Sequence, residues 1–220
     1  MNNTINAWIV GAKYYIPCFL IGCSLLYLGY IAYKPLFIIG VILIIISGFI
    51  LSFFRDFPRS IVSADNEFIS PADGTVVEIK EIENTEYYDG KCLRVAIFMS
   101  IFNAHVNRVP FDGVIKKIRY KEGRFMNAMK SQASDLNESN AIFLETSEGY
   151  ITIRQIAGKI ARRIVCPVKE GMFLKKGQKF GMIKFGSRVE LYLPQNVKIY
   201  VKINDKVYAG ATIIGKFNKL

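Results

Sequence analysis

The sequence predicts a mainly β fold, a compact β-sandwich or barrel-like domain, preceded by an N-terminal membrane helical hairpin. Residues up to Phe54 form two long apolar runs, whereas from Ser60 onward the apolar runs are short and rich in β-branched and aromatic side chains. Gly, Pro, Asn and Asp separate the short runs, as is typical of strands joined by turns in sandwiches and barrels. We therefore divide the chain into an anchor, residues 1–59, and a β domain, residues 60–220.

The two apolar runs are residues 14–33 and 36–54, which hold 20 and 19 residues. As helices, each would reach about 30 Å, enough to cross the hydrocarbon core of a bilayer. Lys34 and Pro35 between them supply a charge and a helix breaker, so the runs predict a hairpin. A cleaved signal peptide would have one shorter apolar core, and here a second full-length run follows at once.

Charge predicts the orientation of this hairpin. Arg55 and Arg59 directly follow the second run, which places the β domain on the cytoplasmic side of the cell (inner) membrane. A hairpin that enters only one leaflet stays open, because four glycines would permit bends. These are Gly22, Gly29, Gly40 and Gly48.

The charge balance indicates an anionic partner. The chain carries 29 Lys and Arg against 18 Asp and Glu, and all but Lys13 and Lys34 of the basic residues lie beyond Phe54. Nucleic acid and acidic lipid are the candidates. The apolar anchor favours an anionic phospholipid membrane, and we expect no nucleic acid. The four cysteines show no paired spacing, which fits reduced thiols in the cytoplasm.

Nine strands are predicted in the β domain by short apolar runs between turn residues. They are Thr75–Ile82, Leu93–Met99, Val114–Tyr120, Ala141–Glu145, Ile151–Ile156, Arg162–Cys166, Phe180–Lys184, Val189–Leu193 and Val197–Lys202. Residues 124–137 lack β-branched side chains and are predicted as a helix or a loop.

Few residues are available for chemistry. A single histidine, His105, excludes multi-histidine metal sites, so no metal is expected. The sequence contains no G-x-x-x-x-G-K loop for phosphates and no G-x-S-x-G elbow. A reaction must therefore use a sparse set of groups or a cofactor that the chain makes itself.

The dipeptide Gly186-Ser187 lies between two predicted strands, and taken alone it is most simply a turn. A Gly-Ser bond in a constrained turn also suits an N→O acyl shift, because glycine has an unhindered carbonyl and permits unusual backbone angles. The resulting ester would eliminate to dehydroalanine and hydrolyse to a pyruvoyl group.

Two further residues could act as acid or base. Asp73 lies in the turn sequence Ser-Pro-Ala-Asp-Gly, and His105 follows the apolar strand that ends at Met99. Each alone is more often structural. Together, a turn aspartate and a histidine at the end of a strand could form an acid–base pair beside a serine.

These motifs together resemble one family, the short bacterial and archaeal form of phosphatidylserine decarboxylase, a pyruvoyl-dependent proenzyme that cleaves itself. The resemblance covers nearly all of the chain beyond the anchor, with the motifs in family order. They are Phe53–Asp56, Ser70–Gly74, Met99–Pro110, Gln155–Gly158, Ala161–Val165 and Phe180–Glu190.

The resemblance implies a zymogen that cleaves between Gly186 and Ser187 without hydrolysis. The products would be a β chain, residues 1–186, and an α chain, residues 187–220, which stay together as a heterodimer. Ser187 would become a covalent pyruvoyl group that forms a Schiff base with phosphatidylserine and releases CO₂ and phosphatidylethanolamine. Asp73 matches the motif aspartate that the family links to self-cleavage.

The chain departs from the family at three places. Longer family members have two histidines where this chain has His105 and Arg108, so we expect His105 to serve both cleavage and decarboxylation. Ser139 stands where an arginine is usual, and Lys130-Ser131-Gln132 stands where an aspartate–lysine pair is common.

Two alternatives remain. A decarboxylase of archaetidylserine would share the whole mechanism, because the reacting headgroup is identical. A membrane-anchored biotinyl or lipoyl carrier or adaptor would explain the Gly-x-x-x-Lys-Lys-Gly spacing within residues 168–183 and the Ala128-Met129-Lys130 sequence. A carrier needs its lysine at a hairpin tip inside that motif, and it explains neither Asp73 nor Gly186-Ser187.

Overall fold

The computed structural model describes residues 5–126, 128–129, 133–158, 163–184 and 186–218. The chain forms two compact units. One is helical and spans Asn6–Phe57, and the other contains Pro58–Leu220 and is built from strands.

The helical unit consists of α1, Ala7–Ile31, and α2, Lys34–Phe53. The Asn6 side chain caps α1 by accepting a hydrogen bond of 3.3 Å from the backbone N–H of Ile9. Pro35 lies in the first turn of α2, where a missing N–H has no cost. Both helices are long and apolar enough to cross a membrane, by length and composition. The predicted hairpin is therefore confirmed.

Gly29 and Gly40 let the two helices of the hairpin approach each other closely. A Cβ at Gly29 would lie 2.2 Å from the backbone nitrogen of Phe37, and one at Gly40 would lie 2.7 Å from that of Leu26. Both helices continue through these positions. Small residues at such a contact are typical of packed membrane helices.

The strands of the second unit, with their bounds in chain order, are as follows. They are β1 Glu67–Ile69, β2 Gly74–Ile82, β3 Cys92–Met99, β4 Val106–Arg108, β5 Gly113–Lys121, β6 Ser139–Thr146, β7 Gly149–Ala157, β8 Ile164–Val165, β9 Phe173–Leu174, β10 Lys179–Ile183, β11 Ser187–Pro194, β12 Val197–Ile199, β13 Lys206–Val207 and β14 Ile213–Phe217.

These strands form three sheets. The large sheet has eight strands in the order β13-β2-β3-β11-β7-β6-β5-β9, and its neighbouring strands are antiparallel. Two small sheets have the orders β1-β14-β12 and β4-β10-β8. One hydrophobic core draws buried side chains from all three, such as Leu191, Phe217 and Ile183. The mainly β fold predicted from the sequence is confirmed.

The predicted strands correspond to observed ones, with Arg162 lying outside the described residues. The strands that were not predicted are short: β1, β4, β9, β13 and the five-residue β14. For residues 124–137 the sequence predicts a helix or a loop. Their described part contains the four-residue helix α3, Ala133–Leu136, and a bridge between Arg124 and Asn137.

Candidate active site

Strand β11 begins at Ser187 in the middle of the large sheet, between β3 and β7. Ser187 pairs with Met99 of β3 and with Ala157 of β7, and it is fully buried. Gly186, directly before it, has φ +64°, a left-handed conformation that favours glycine. The candidate cleavage bond therefore joins a left-handed glycine to the first residue of a central strand. Phe185 lies outside the described residues.

The carbonyl group of Gly186 lies directly against Gly158. A Cβ added at Gly158 would come within 2.0 Å of the Gly186 carbonyl oxygen and 2.9 Å of its carbonyl carbon. Only a residue without a side chain leaves this space, so Gly158 fixes where the candidate scissile carbonyl can lie. Gly158 ends the motif Gln155–Gly158, but the sequence alone does not reveal this role.

The Ser187 hydroxyl donates to a thioether. Its Oγ lies 3.3 Å from Sδ of Met99, and Nδ2 of Asn107 lies 3.8 Å from the same sulfur. Sulfur is a weak acceptor, so the hydroxyl is held without being strongly stabilised. Sequence reasoning missed Met99, because a methionine in an apolar strand looks like any core residue.

A buried chain of amides continues from this sulfur. Gln155 Nε2 donates to Asn107 Oδ1 over 2.8 Å, and Asn140 Nδ2 donates to Gln155 Oε1 over 3.3 Å. All three residues are at most 4% exposed. Such polar residues inside apolar strands were a signal that could have revealed this network, since buried amides require partners.

His105 is fully buried just before β4. Its Nδ1 lies 2.8 Å from the backbone oxygen of Asn103. A carbonyl oxygen only accepts, so Nδ1 carries a proton and donates it, and Nε2 is the nitrogen that gains or loses one. The backbone oxygen of His105 accepts from Ile183 N over 3.4 Å, which ties the histidine to β10, close in sequence to the Gly186–Ser187 bond.

Asp73 is a nearly buried carboxylate with two strong donors. Arg59 Nη2 donates to Oδ2 and the backbone N–H of Ala209 donates to Oδ1, both over 2.7 Å. These bonds fix the aspartate in the turn that leads into β2. Arg59 and Ala209 were not foreseen as partners of Asp73.

The strand register brings the turn of Asp73 to the end of the sheet that holds the glycine–serine bond. Thr75 pairs with Phe98, and Phe98 pairs with Arg188, so β2, β3 and β11 lie side by side. Asp73 directly precedes β2, and Gly186 directly precedes β11, so both lie at this end of the sheet.

Arg108 connects two segments near the site and has a structural role. Its Nη1 donates to the backbone oxygen of Gly177 over 3.0 Å, and its backbone N–H donates to Pro71 over 2.9 Å. It is 7% exposed. These contacts hold the Asp73 turn against the chain that leads into β10.

The opposite face of β11 carries a buried charge network centred on Glu190. The carboxylate accepts from Arg188 Nε over 2.8 Å and from the Tyr192 hydroxyl over 2.7 Å, and it pairs with Arg154 over 3.5 Å. Burial alone would raise the pKa of Glu190, but Arg188, Arg154 and Arg94 outweigh it and lower that pKa.

Ser139 belongs to this network. Its Oγ accepts from Arg154 Nη2 over 3.0 Å, and the residue is 1% exposed. Ser139 therefore places a small hydrogen-bond acceptor beside the buried Arg154. The sequence Lys130-Ser131-Gln132 lies outside the described residues, as does the lysine of the carrier alternative.

Within the described ranges, no group of three or more His, Cys, Asp or Glu side chains is arranged to hold a metal ion. The described cysteines are all free thiols. Burial raises the pKa of the Cys166 thiol to about 11, so this cysteine is protonated at neutral pH.

Comparison with known proteins adds an independent observation. A model of the family described as phosphatidylserine decarboxylase matches residues 46–215. A phosphatidylserine decarboxylase proenzyme of Carboxydothermus hydrogenoformans is 43% identical over 181 residues, which cover 82% of this chain and 85% of the relative. One from Syntrophus aciditrophicus is 48% identical over 166 residues, 75% of this chain and 78% of the relative. One from Nitrosomonas europaea is 45% identical over 175 residues, 79% of this chain and 81% of the relative.

Proposed function

The chain belongs to the phosphatidylserine decarboxylase family, and from that premise we propose that it converts phosphatidylserine to phosphatidylethanolamine and CO₂. Similar proteins are named proenzymes. This chain is likewise a zymogen, made as one polypeptide that cuts itself between Gly186 and Ser187. The products are residues 1–186 and 187–220.

One observation carries the proposal: the left-handed Gly186 and its carbonyl packed against Gly158, next to the buried Ser187 hydroxyl. A carbonyl held in a single position by a side-chain-free neighbour is pre-organised for attack by the adjacent hydroxyl. The weak Met99 acceptor leaves that hydroxyl able to move to the carbonyl carbon.

Cleavage proceeds through an ester. Ser187 Oγ bonds to the carbonyl carbon of Gly186, the peptide C–N bond breaks, and the Ser187 nitrogen receives the hydroxyl proton. A base then removes the Cα proton of Ser187, and the Gly186 carboxylate leaves with the former hydroxyl oxygen. Water hydrolyses the remaining dehydroalanine, and ammonia departs as the pyruvoyl group forms.

His105 is the proposed base. Its Nδ1 proton is engaged by the Asn103 carbonyl oxygen, so Nε2 is the atom that accepts and returns protons. Cleavage happens once, and afterwards the same nitrogen is available for the proton steps of decarboxylation. The tie between His105 and Ile183, four residues before Ser187, supports this assignment.

Asp73 assists self-cleavage by positioning the chain at the same end of the sheet. Its bonds to Arg59 and to the backbone of Ala209 hold the carboxylate in one place, directly before β2. Strand β2 pairs with β3, and β3 pairs with the strand that begins at Ser187.

The surroundings of Ser187 fit a pyruvoyl group. Its carbonyl would supply an electron sink for the carbanion that loss of CO₂ leaves. The hydroxymethyl carbon of Ser187 becomes a methyl group in that product, and the thioether of Met99 is a suitable apolar neighbour for it. Ala157, the other strand partner, is also apolar and fully buried.

The two chains remain one protein after the cut. The α chain keeps β11, which pairs with β3 and β7, and β14, which pairs with β1. These partners all belong to the β chain. Breaking one peptide bond at the start of β11 removes none of these ladders, so the products form a heterodimer.

The anchor holds the enzyme at its substrate. Helices α1 and α2 are apolar and suited to a membrane, and the basic excess beyond them attracts anionic lipid. Arg55 and Arg59 after α2 favour the cytoplasmic side of the cell membrane for the catalytic unit.

A decarboxylation assay tests this function. Full-length protein in mixed micelles with carboxyl-labelled phosphatidylserine should release labelled CO₂, and the Ser187→Ala variant should release none. Labelled CO₂ from the Ser187→Ala variant would contradict the proposed role of this serine.

A further inference from the structure

Exposed apolar side chains lie in three segments next to the candidate site: Phe102 follows β3, Tyr208 follows β13, and Ile61 and Val62 follow Arg59, which bonds Asp73. Val62 is 78% exposed, Phe102 72%, Tyr208 48% and Ile61 40%. We call these four residues the apolar rim. Single exposed apolar residues need no explanation, but a group around one site marks an interaction surface.

Phe102 is presented by a tightly bonded turn between β3 and His105. Asn103 Oδ1 accepts from both the backbone nitrogen and Oγ of Ser100, each over 2.9 Å, and Asn103 N donates back to the Ser100 carbonyl over 3.0 Å. The neighbouring Ile101 side chain lies 4.0 Å from where a Gly186 Cβ would be. The phenyl ring thus stands on a fixed support beside the glycine–serine bond.

Two other members of the apolar rim, Tyr208 and Ile61, belong to segments held near the Asp73 turn. The Arg59 guanidinium, which bonds Asp73, lies 5.7 Å from the centroid of the Tyr208 ring. Ala209, next to Tyr208, donates to the same carboxylate. The Ile61 side chain packs where a Cβ of Gly177 would be. The backbone oxygen of Gly177 accepts a hydrogen bond from the Arg108 side chain.

We propose that the apolar rim inserts into the phospholipid bilayer, so that a lipid headgroup reaches the site while its acyl chains stay in the membrane. The inference rests on the proposed function, because it assumes a lipid substrate. Aromatic and aliphatic side chains next to basic ones are suited to the interfacial region of an anionic membrane. Arg59 stands beside Tyr208, and Ile61 follows the last residue of α2 by only eight positions.

Fluorescence quenching tests the insertion directly. The chain has one tryptophan, Trp8, so Trp8→Phe gives a silent background for a reporter introduced by Phe102→Trp. Proteoliposomes of phosphatidylcholine and phosphatidylserine should show loss of reporter emission and a blue shift when brominated phosphatidylcholine is included. The matched control is Phe173→Trp, because Phe173 is 56% exposed at the other end of the sheet, where β9 pairs with the start of β5. It should not be quenched.

A substrate comparison separates docking from chemistry. Phe102→Ser should lower turnover of phosphatidylserine in vesicles at least about tenfold, the loss expected for one phenyl ring no longer buried. Turnover of a short-chain phosphatidylserine, dissolved as monomers, should equal that of the wild type, and self-cleavage should be complete. Phe173→Ser should match the wild type on both substrates.

Equal quenching at positions 102 and 173, or no quenching at 102, would overturn the docking proposal. So would an equal loss on both substrates for Phe102→Ser, which would indicate a damaged site. The proposed function is read separately in the same assay: wild-type protein that turns over neither substrate would contradict that function instead.

Discussion

The carbonyl oxygen of Gly186 occupies the space where Gly158 would carry a side chain, only 2.0 Å from the position of a Cβ. Twenty-eight positions separate the two residues in the chain, and the pairing of β7 with β11 brings them together. The bond proposed to break is therefore positioned by the strand next to it.

Gly158→Ala should block self-cleavage. The added methyl must displace the Gly186 carbonyl, and a displacement of about 1 Å at a reacting centre costs about a hundredfold in rate. Gly215→Ala is the matched control, because its Cβ would meet the Lys198 carbonyl oxygen at 2.3 Å, far from the junction in sheet β1-β14-β12. Gel analysis of freshly synthesised protein measures the uncut fraction. Rapid cleavage of the Gly158→Ala variant would refute this role.

The residue at position 99 should affect the rate of self-cleavage, because its side chain accepts the hydrogen bond of the Ser187 hydroxyl. Met99→Gln supplies a stronger acceptor of similar length, which should hold the hydroxyl in place by about 1 kcal/mol and slow cleavage roughly fivefold. Met99→Leu keeps the size and removes the acceptor, so it should cleave at least as fast as the wild type. Time courses after cell-free synthesis measure both rates. A Gln variant that cleaves at the wild-type rate would contradict this account.

His105→Ala should accumulate as the uncut precursor, because a general base contributes about a hundredfold or more to proton transfer. The histidine is fully buried, so its removal leaves a cavity that added imidazole can occupy. Imidazole should restore cleavage, and turnover by the rescued protein should then require imidazole to remain. Full turnover after its removal would limit His105 to maturation, and cleavage without imidazole would exclude it from self-cleavage. Cleavage and turnover that both proceed without imidazole would exclude it from both steps. Wild-type protein with imidazole is the control.

Glu190 should make the folded protein less stable as the pH falls. Its pKa in the folded protein is lowered, and a lowered carboxyl pKa contributes stability that is present above the unfolded value of 4.5 and lost as pH falls through the folded value. Glu190→Gln should lose about 3 kcal/mol at pH 7, because the buried Arg154 and Arg188 keep their charge, and its stability should vary less with pH.

Thermal unfolding in detergent between pH 7 and pH 3 measures this difference. The control is Glu145→Gln, since Glu145 pairs with Lys116 in an exposed ion pair of small expected value. Parallel curves for the wild type and the Glu190→Gln variant would show that Glu190 does not carry the acid dependence.

Much of the fold could be predicted from the sequence, because the alternation of apolar and polar side chains identifies a strand from a few consecutive residues. In strand β11, Val189 and Leu191 face the core, whereas Arg188 and Glu190 lie on the other face. The apolar residues of this alternation made the strand predictable. Strands such as β13, with two residues, are too short to carry any pattern.

The site was predictable only in part. The residue types and the family resemblance predicted four residues of the site, which are Gly186, Ser187, His105 and Asp73. The close approach of Gly158 and the thioether partner of Ser187 depend on which strands become neighbours. No local pattern reports that Ala157 and Met99 flank Ser187, since strand pairing is a long-range property.

Intact-mass spectrometry of the purified wild-type protein is the most direct test of the central claim. The account predicts two chains, residues 1–186 and 187–220, with the smaller one starting in a pyruvoyl group and lacking a free N-terminal amine. A single intact polypeptide of 220 residues that still releases CO₂ from phosphatidylserine would contradict it.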